Sequence, residues 1–93
     1  MLELRPNCEN CNKALTPDST EAMICTFECT FCQDCVEQVL INVCPNCGGG
    51  FEKRPIRPKE RLNSHPASIK TVLKPVKKNA FLEKNRNIPP HKR

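Results

Sequence analysis

The stretch that decides the fold is residues 25–47, CTFECTFCQDCVEQVLINVCPNC, which holds six of the eight cysteines. They form three close pairs, Cys25/Cys29, Cys32/Cys35 and Cys44/Cys47, and a fourth pair, Cys8/Cys11, stands upstream. Zinc takes four tetrahedral ligands, and two cysteines separated by two residues can turn both sulfurs toward one ion. The four pairs therefore predict two closed zinc sites, which are structural because neither keeps a position for water.

The alternative use of eight cysteines is a disulfide framework, which needs an oxidising compartment. The first ten residues, MLELRPNCEN, contain neither the apolar run nor the small-residue cleavage site of a secretory signal. No stretch approaches the roughly 18 apolar residues of a membrane span. We therefore expect a cytoplasmic protein without membrane contact, whose reduced thiols bind zinc. Iron–sulfur clusters also use four cysteines, but their usual spacings do not match this ladder.

The chain divides into two parts of opposite charge. We call residues 1–52 the head and residues 53–93 the tail. Of the 15 Lys and Arg, only Arg5 and Lys13 fall in the head, which holds eight of the ten Asp and Glu. The head thus carries −6 (two minus eight), and the tail carries +11 (thirteen minus two). The head is predicted to be a two-zinc domain, and the tail a basic, mostly disordered segment.

The tail also holds six of the nine prolines and has few apolar side chains. Such a composition cannot bury enough apolar surface to fold alone. Residues 68–74 and residues 80–86 are candidates for transient helices, the second capped by Asn79. Both are shorter than the roughly 12–15 residues that an isolated helix needs in water.

The head offers few large apolar side chains for a core. The candidates are Leu4, Leu15, Ile24, Phe27, Phe31, Val36, Val39, Leu40, Ile41, Val43 and Phe51. A core of this size rarely supplies more than about 3–5 kcal/mol. Structural zinc contributes roughly 10–16 kcal/mol of apparent binding energy per site, which becomes folding energy. We therefore predict that the metal-free head is unfolded.

A short helix is predicted to begin near Cys32 or Gln33. Val36, Val39 and Leu40 would form one apolar stripe on it, and the helix dipole would favour thiolates near its start. Before the helix, a hairpin is predicted over residues 22–31, with its first strand at residues 24–27 and its turn at residues 28–29.

The four pairs can be shared between two ions in three ways. Two helical turns move the chain about 12 Å, and two residues between the helix and Cys44 span at most about 7 Å. Sequential sharing is therefore disfavoured. Nested sharing would place the four cysteines from 25 to 35 on one ion; it is possible but cramped. The favoured arrangement interleaves the pairs, with one zinc on Cys8, Cys11, Cys32 and Cys35 and the other on Cys25, Cys29, Cys44 and Cys47.

This interleaved ladder resembles the RING finger, a cross-braced, treble-clef-like zinc fold. The resemblance rests on the order of the pairs, the two residues between Cys29 and Cys32, the F-C-x-x-C-V start of the helix, and C-P-x-C at Cys44–Cys47. It implies a small, metal-dominated α+β fold with one short helix and a β-hairpin. Cys29 departs from the pattern, because most RING fingers carry histidine there.

RING fingers usually dock a ubiquitin-conjugating enzyme, and that role is disfavoured here. Glu9 and Asn10 stand where an apolar residue is common, and Val39 stands where Trp is common. Gly48 stands where Arg is common, so that Pro45 is the only one of these docking positions that matches RING fingers.

Residues 1–58 also resemble a family of small bacterial cysteine-rich proteins known only as a domain of unknown function. The matching motifs are MLELRPNC, ICTFECTFCQDC, CPNCGG and RPIRP. This resemblance implies zinc binding and no assigned activity.

We expect a structural zinc-binding module that acts as a protein-interaction platform, as a monomer, on a protein partner that the sequence does not name. Phe27, Phe51 and Ile56 are candidates for an exposed apolar patch, although Phe27 and Phe31 are better explained as core residues. A thiol redox or zinc-responsive switch is an alternative, because oxidation of zinc thiolates releases the metal.

A further alternative is weak, sequence-independent binding of nucleic acid by the tail. Its cations could neutralise phosphates, but Phe81 is the tail's one aromatic residue and offers little base stacking. The candidate cations are Lys70, Lys74, Lys77, Lys78, Lys84, Arg86, Lys92 and Arg93. Catalysis is not expected, because all eight cysteines are assigned to zinc and the two histidines, His65 and His91, lie in the tail.

Overall fold

The computed structural model describes residues 1–93 and is built around a small antiparallel sheet. Strands β1 (Ala22–Ile24) and β2 (Thr30–Cys32) form a hairpin, and β3 (Glu52–Lys53) pairs with the other edge of β1. The strand order is β2-β1-β3. In this register Met23 lies opposite both Phe31 and Lys53. The sheet therefore joins the cysteine-rich hairpin to the first residues of the tail.

The hairpin turn lies earlier than the sequence predicts. The Cys25 N–H donates to the Cys29 carbonyl at 3.3 Å, and the Glu28 N–H donates to the Cys25 carbonyl at 3.0 Å. Glu28 takes a φ of 63°, in the left-handed region. The loop tip therefore falls at Thr26 and Phe27, and β1 ends at Ile24 instead of continuing through Phe27.

Helix α1 (Gln33–Gln38) follows β2 directly and begins where the sequence predicts. Val36 and Leu40 are buried, but Val39 is 45 % exposed. The helix ends before Val39 can continue the apolar stripe, because the chain closes on itself with a bond from the Asn42 N–H to the Val36 carbonyl at 2.9 Å. The prediction for Val39 as a core residue is therefore wrong.

The apolar core lies between the sheet and α1 and includes most of the cysteines. Phe31 and Phe51 meet edge to face, with ring centroids 5.5 Å apart. Phe51 is 4 % exposed because β3 brings it onto the sheet, whereas Phe27 is 72 % exposed at the hairpin tip. Phe27 is therefore not the core residue that the sequence favours. The sequence makes Phe51 a candidate both for the core and for an exposed patch, and it lies in the core.

The tail is not disordered, which corrects the sequence prediction. Its backbone and amide groups make hydrogen bonds to the head along most of its length. These bonds join Ser68 N to Leu4 O (3.0 Å), Asn7 Nδ2 to Val72 O (2.8 Å), Lys74 N to Glu9 O (2.7 Å), Asn79 Nδ2 to Val43 O (2.9 Å) and Asn85 Nδ2 to Gly48 O (2.9 Å). The composition of the tail indicates only what this segment can bury by itself, and it carries no information on the hydrogen-bonding groups that the head presents.

The tail contains one short α-helix, α2 (Leu82–Asn85), and two 3₁₀ helices, Lys59–Arg61 and Pro90–Lys92. Asn79 Oδ1 accepts from the Phe81 N–H at 3.1 Å, but the N-cap position of α2 is Phe81, which makes no side-chain capping bond, so Asn79 is not the helix cap that the sequence predicts. Residues 68–74 contain no helix. None of the helices has the length and apolarity of a membrane span.

Candidate metal centres

The first group of cysteines is compact enough to hold one metal ion. The sulfur atoms of Cys8, Cys11, Cys32 and Cys35 all lie within 4.8 Å of one another. Cys11 Sγ and Cys32 Sγ are 3.7 Å apart. A tetrahedral zinc with Zn–S bonds of about 2.3 Å places its sulfurs about 3.8 Å apart. The first group therefore has the size of a tetrahedral site.

The first two cysteines of this group lie on a tight turn, which we call the first knuckle (residues 7–13). The Cys8 N–H donates to the Lys13 carbonyl at 2.8 Å, and Asn12 takes a φ of 65° to close the turn. Glu9 is buried and accepts from the Thr30 N–H at 2.6 Å. This bond ties the first knuckle to β2, and thereby to Cys32.

The second group holds three sulfurs at similar distances and a fourth close by. The sulfur atoms of Cys25, Cys44 and Cys47 lie within 4.8 Å of one another. Cys29, the predicted fourth member, is buried on the same hairpin turn as Cys25, but its sulfur lies outside the mutual distance of the three. Cys44 and Cys47 belong to a second tight turn, the second knuckle (residues 44–48), in which Gly48 takes a φ of 78°.

The two groups alternate along the chain. Cys8 and Cys11 meet Cys32 and Cys35, whereas the second knuckle meets Cys25. This is the interleaved grouping, and neither sequential nor nested sharing would produce it. Cys35 is part of α1, and residues 39–43 then connect the helix to the second knuckle.

Four hydrogen-bond donors point at sulfur atoms in the two groups. Bonds of this kind favour a thiolate because they stabilise its negative charge. The donors are Asn10 Nδ2 to Cys35 Sγ (3.3 Å), Asn46 Nδ2 to Cys29 Sγ (3.4 Å), Asn46 N to Cys44 Sγ (3.4 Å) and Gly49 N to Cys47 Sγ (3.4 Å). Each predicted site thus receives a side-chain amide, and the second also receives backbone amides.

The thiols of each group compete for protons. In the second group a hydrogen bond from the Cys44 thiol lowers the pKa of Cys25 to about 5 and raises the pKa of Cys44. In the first group, burial raises the pKa of both Cys32 and Cys35. A set of four thiolates therefore needs a compensating cation, and sulfur ligands suit a soft or borderline divalent metal. The donor chemistry fits the predicted metal.

The remaining sequence candidates are not members of either group, although His91 lines the same surface pocket as Cys47. Ile56 is 52 % exposed, and His65 and His91 are exposed on the tail. The cations singled out in the tail are also exposed, except for half-buried Arg93. The three ion pairs of the structure use only Arg5 and Lys13, so no Lys or Arg of the tail pairs with a carboxylate.

Arg54 is a structural residue that the sequence analysis missed. It is 4 % exposed, and burial lowers its pKa. Its guanidinium donates to the carbonyls of Arg5 at 2.8 Å and Thr16 at 2.9 Å. It therefore fixes the chain around the first knuckle to the strand that starts the tail. The RPIRP motif is the sequence feature that could have singled out Arg54. A count of charges treats Arg54 like the other basic residues of the tail.

Comparison with known proteins identifies the family. The family model described as "Protein of unknown function (DUF1272)" matches residues 1–57. An uncharacterized protein of Rhizobium meliloti (strain 1021) is 60 % identical over 75 residues, which cover 81 % of this chain and 89 % of the relative. No solved structure matches. The chain therefore belongs to the DUF1272 family of proteins of unknown function.

Proposed function

We propose that the protein is a structural zinc-binding module that serves as a cytoplasmic protein-interaction platform. The observation that carries the zinc assignment is the interleaved convergence of the cysteine sulfurs, with Cys11 Sγ and Cys32 Sγ 3.7 Å apart. The ligands are Cys8, Cys11, Cys32 and Cys35 for the first zinc and Cys25, Cys29, Cys44 and Cys47 for the second.

Zinc is favoured because the donor set is entirely sulfur and each set closes at four. A closed site supplies cross-links between distant parts of the chain and has no place for a substrate. With all eight cysteines engaged, no thiol remains as a nucleophile. The role that follows is architectural, and we do not propose catalysis.

An apolar cleft beside the end of α1 supports the role of interaction platform. The cleft has a volume of about 450 Å³ and contains Met23, Val36, Ile41 and Phe51 in its wall. Glu37 and Glu52 stand at its edge, and both side chains are exposed. This combination fits a peptide segment that inserts one apolar side chain and carries Lys or Arg beside it.

The backbone conformation of Ile41 also supports a binding role for this cleft. It takes a φ of 48° and is 36 % exposed. A β-branched residue in the left-handed region costs about 1–2 kcal/mol relative to an ordinary conformation. Asn42 also takes a positive φ, 56°, but asparagine tolerates it. A strained apolar side chain at the mouth of a cleft supports its use in contacting a partner.

The zinc assignment is tested by native mass spectrometry of the reduced, full-length protein. We expect two zinc ions per chain. One ion, no ion, or iron in place of zinc would contradict the assignment.

The platform is tested by selecting random peptides on the zinc-loaded protein and mapping the best binders by amide NMR shifts. We expect selected peptides to share an apolar residue flanked by Lys or Arg, with shifts concentrated at Met23, Val36 and Ile41. The variant Ile41→Asn should keep both zinc ions and lose peptide binding. Shifts that fall elsewhere on the molecule, or no enriched motif, would contradict this surface.

Binding of nucleic acid by the tail is a second candidate, and one observation favours it. The tail lies against an acidic head, yet none of its thirteen Lys and Arg forms an ion pair, since the three ion pairs use only Arg5 and Lys13. The exposed ones among them, which exclude the buried Arg54, remain free for phosphates. The test is binding to a random duplex at increasing salt: a steep linear loss of log affinity supports it, and no binding at low salt contradicts it.

A further inference from the structure

Residues 68–79 form an extended strap that crosses the head from one knuckle to the other. The strap runs beside residues 4–10 in the same direction: Ser68 bonds to Leu4, and Lys74 bonds to Glu9. It then reaches the second knuckle, where Asn79 Nδ2 donates to the Val43 carbonyl at 2.9 Å. These bonds use neutral groups of the strap, so that its position is set by hydrogen-bond geometry and not by charge.

Asn10 stands where the strap passes the first candidate metal centre. Its Oδ1 accepts from the Val76 N–H at 2.7 Å, and its Nδ2 donates to Cys35 Sγ at 3.3 Å. A carboxamide has one acceptor end and one donor end. Because a backbone N–H can bond only the oxygen, the docked strap holds the carboxamide with its NH₂ toward the sulfur. The orientation of this donor to Cys35 Sγ is thus tied to the strap.

Asn46 offers a natural comparison within the same molecule. Its Nδ2 donates to Cys29 Sγ at 3.4 Å, and its Oδ1 accepts no hydrogen bond from the strap. Each asparagine lies between the two cysteines of a knuckle, Asn10 between Cys8 and Cys11 and Asn46 between Cys44 and Cys47. Each also donates a side-chain N–H to a cysteine sulfur. Only Asn10 also contacts the tail through a hydrogen bond.

We infer that Asn10 is a positioning residue that couples docking of the strap to metal retention at the first centre, so that the tail regulates how firmly that metal is held. This inference rests on the proposed two-zinc function. Docking of the strap and metal binding stabilise each other by the same factor, because such coupling is reciprocal. Removal of the metal loosens the strap, and displacement of the strap speeds loss of the metal.

The test is a double-mutant cycle in the full-length protein, followed by the rate of zinc transfer to a chelator. Asn10→Ala removes both bonds of the carboxamide, and Val76→Pro removes the N–H that the strap donates. The matched strap control is Leu73→Pro, because the Leu73 N–H makes no hydrogen bond and its side chain is 50 % exposed. Asn46→Ala is the matched amide control.

We expect Asn10→Ala and Val76→Pro each to speed zinc release from the first centre about three- to tenfold, the range of one neutral hydrogen bond. The double variant should be no faster than about the faster single variant. Asn46→Ala combined with Val76→Pro should show the product of the two separate effects. Leu73→Pro should match the wild type.

A spectroscopic measurement separates this coupling from a general loss of stability. With ¹¹³Cd²⁺ in place of zinc, we expect two NMR resonances. Asn10→Ala and Val76→Pro should both shift the resonance of the first centre, and Asn46→Ala should shift the other. Even if Asn10→Ala does not fold, Val76→Pro alone must shift the first resonance.

The outcomes separate the inference from the function on which it rests. If the wild type binds two metal ions but the Asn10 and Val76 effects multiply, or Val76→Pro shifts neither resonance, the inference is overturned and the two-zinc function stands. If the wild type binds fewer than two ions, both are overturned.

Discussion

Cys11 and Cys32 are 21 positions apart in the sequence, yet their sulfur atoms lie 3.7 Å apart. This contact joins the first knuckle to the end of β2, across a segment whose regular structure is the β1–β2 hairpin. The first knuckle and β2 are also joined by two hydrogen bonds, from Thr30 N–H to Glu9 Oε2 at 2.6 Å and from Glu9 N–H to the Thr30 carbonyl at 3.0 Å. A metal ion shared by the two sulfurs would convert this proximity into a cross-link.

The first prediction concerns which cysteines share an ion. Cys11→Ser and Cys32→Ser should each abolish the same ¹¹³Cd resonance, because both belong to the first group. Cys29→Ser should abolish the other resonance, although its sulfur lies outside the tight trio of the second group. If Cys29→Ser leaves both resonances in place, Cys29 is not a ligand. If Cys11→Ser and Cys29→Ser affect one resonance together, the interleaved assignment is wrong.

The second prediction concerns the buried guanidinium of Arg54. Arg54→Met should lower the free energy of unfolding of the zinc-loaded protein by about 2–4 kcal/mol, because buried carbonyls lose their donor. Lys53→Met is the matched control, since Lys53 is exposed and makes a single bond to the Thr20 carbonyl at 2.9 Å. Lys53→Met should lower the free energy of unfolding by no more than about 0.5 kcal/mol. Urea denaturation in a zinc buffer measures both, and equal losses would refute a special role for Arg54.

The third prediction contrasts two neighbours at the end of α1. Ile41→Asn should change stability by less than about 1 kcal/mol, because relief of backbone strain offsets the loss of partial burial. Leu40→Ala should cost about 2–5 kcal/mol, because Leu40 is fully buried. Thermal unfolding with zinc in excess provides the comparison. A large loss for Ile41→Asn would mean that Ile41 serves the fold and is not held for a partner.

The fourth prediction concerns contact between the tail and the second knuckle. At Gly48 an added Cβ would lie 2.7 Å from Asn85 Nδ2 and 2.9 Å from Phe81 Cδ1, and the φ is 78°. Gly48→Ala should therefore loosen residues 79–93 and raise their amide hydrogen exchange about tenfold. Gly49→Ala is the control, because its Cβ would meet only Cys47 Sγ, at 3.4 Å. Unchanged exchange in Gly48→Ala would contradict the described docking of the tail.

The local features of the cysteine-rich region follow from its sequence. The start of α1 at Gln33 agrees with the sequence prediction, because the apolar period and the acidic residue of the first turn are short-range signals. The interleaved grouping is the arrangement that the sequence favours, because chain reach disfavours sequential sharing and nested sharing is cramped. Helix α1 ends at Gln38, however, so that five residues instead of the expected two separate it from Cys44. Two local features are exceptions: the hairpin turn lies earlier than predicted, and Val39 is exposed.

The other errors concern features set by contacts between distant residues. Phe51 is buried because β3 pairs with β1, and no pattern in two strand residues indicates that pairing. The tail is ordered through bonds such as the one from Val76 N–H to Asn10 Oδ1, which leave no periodicity and no charge pattern. Composition does not distinguish Arg54 from the twelve other basic residues of the tail, although its guanidinium is buried among carbonyls. Composition predicts whether a segment can fold alone, but it does not show which hydrogen-bonding groups another part of the chain presents to that segment.

The central claim is that metal ions, and not the small apolar core, hold this fold. Its most direct test is the amide NMR spectrum of the reduced protein before and after removal of metal by a chelator. We predict dispersed signals in the loaded protein, collapse to the narrow range of an unfolded chain after chelation, and full recovery when zinc is returned. A chelated, fully reduced protein that keeps its dispersed spectrum would contradict the claim.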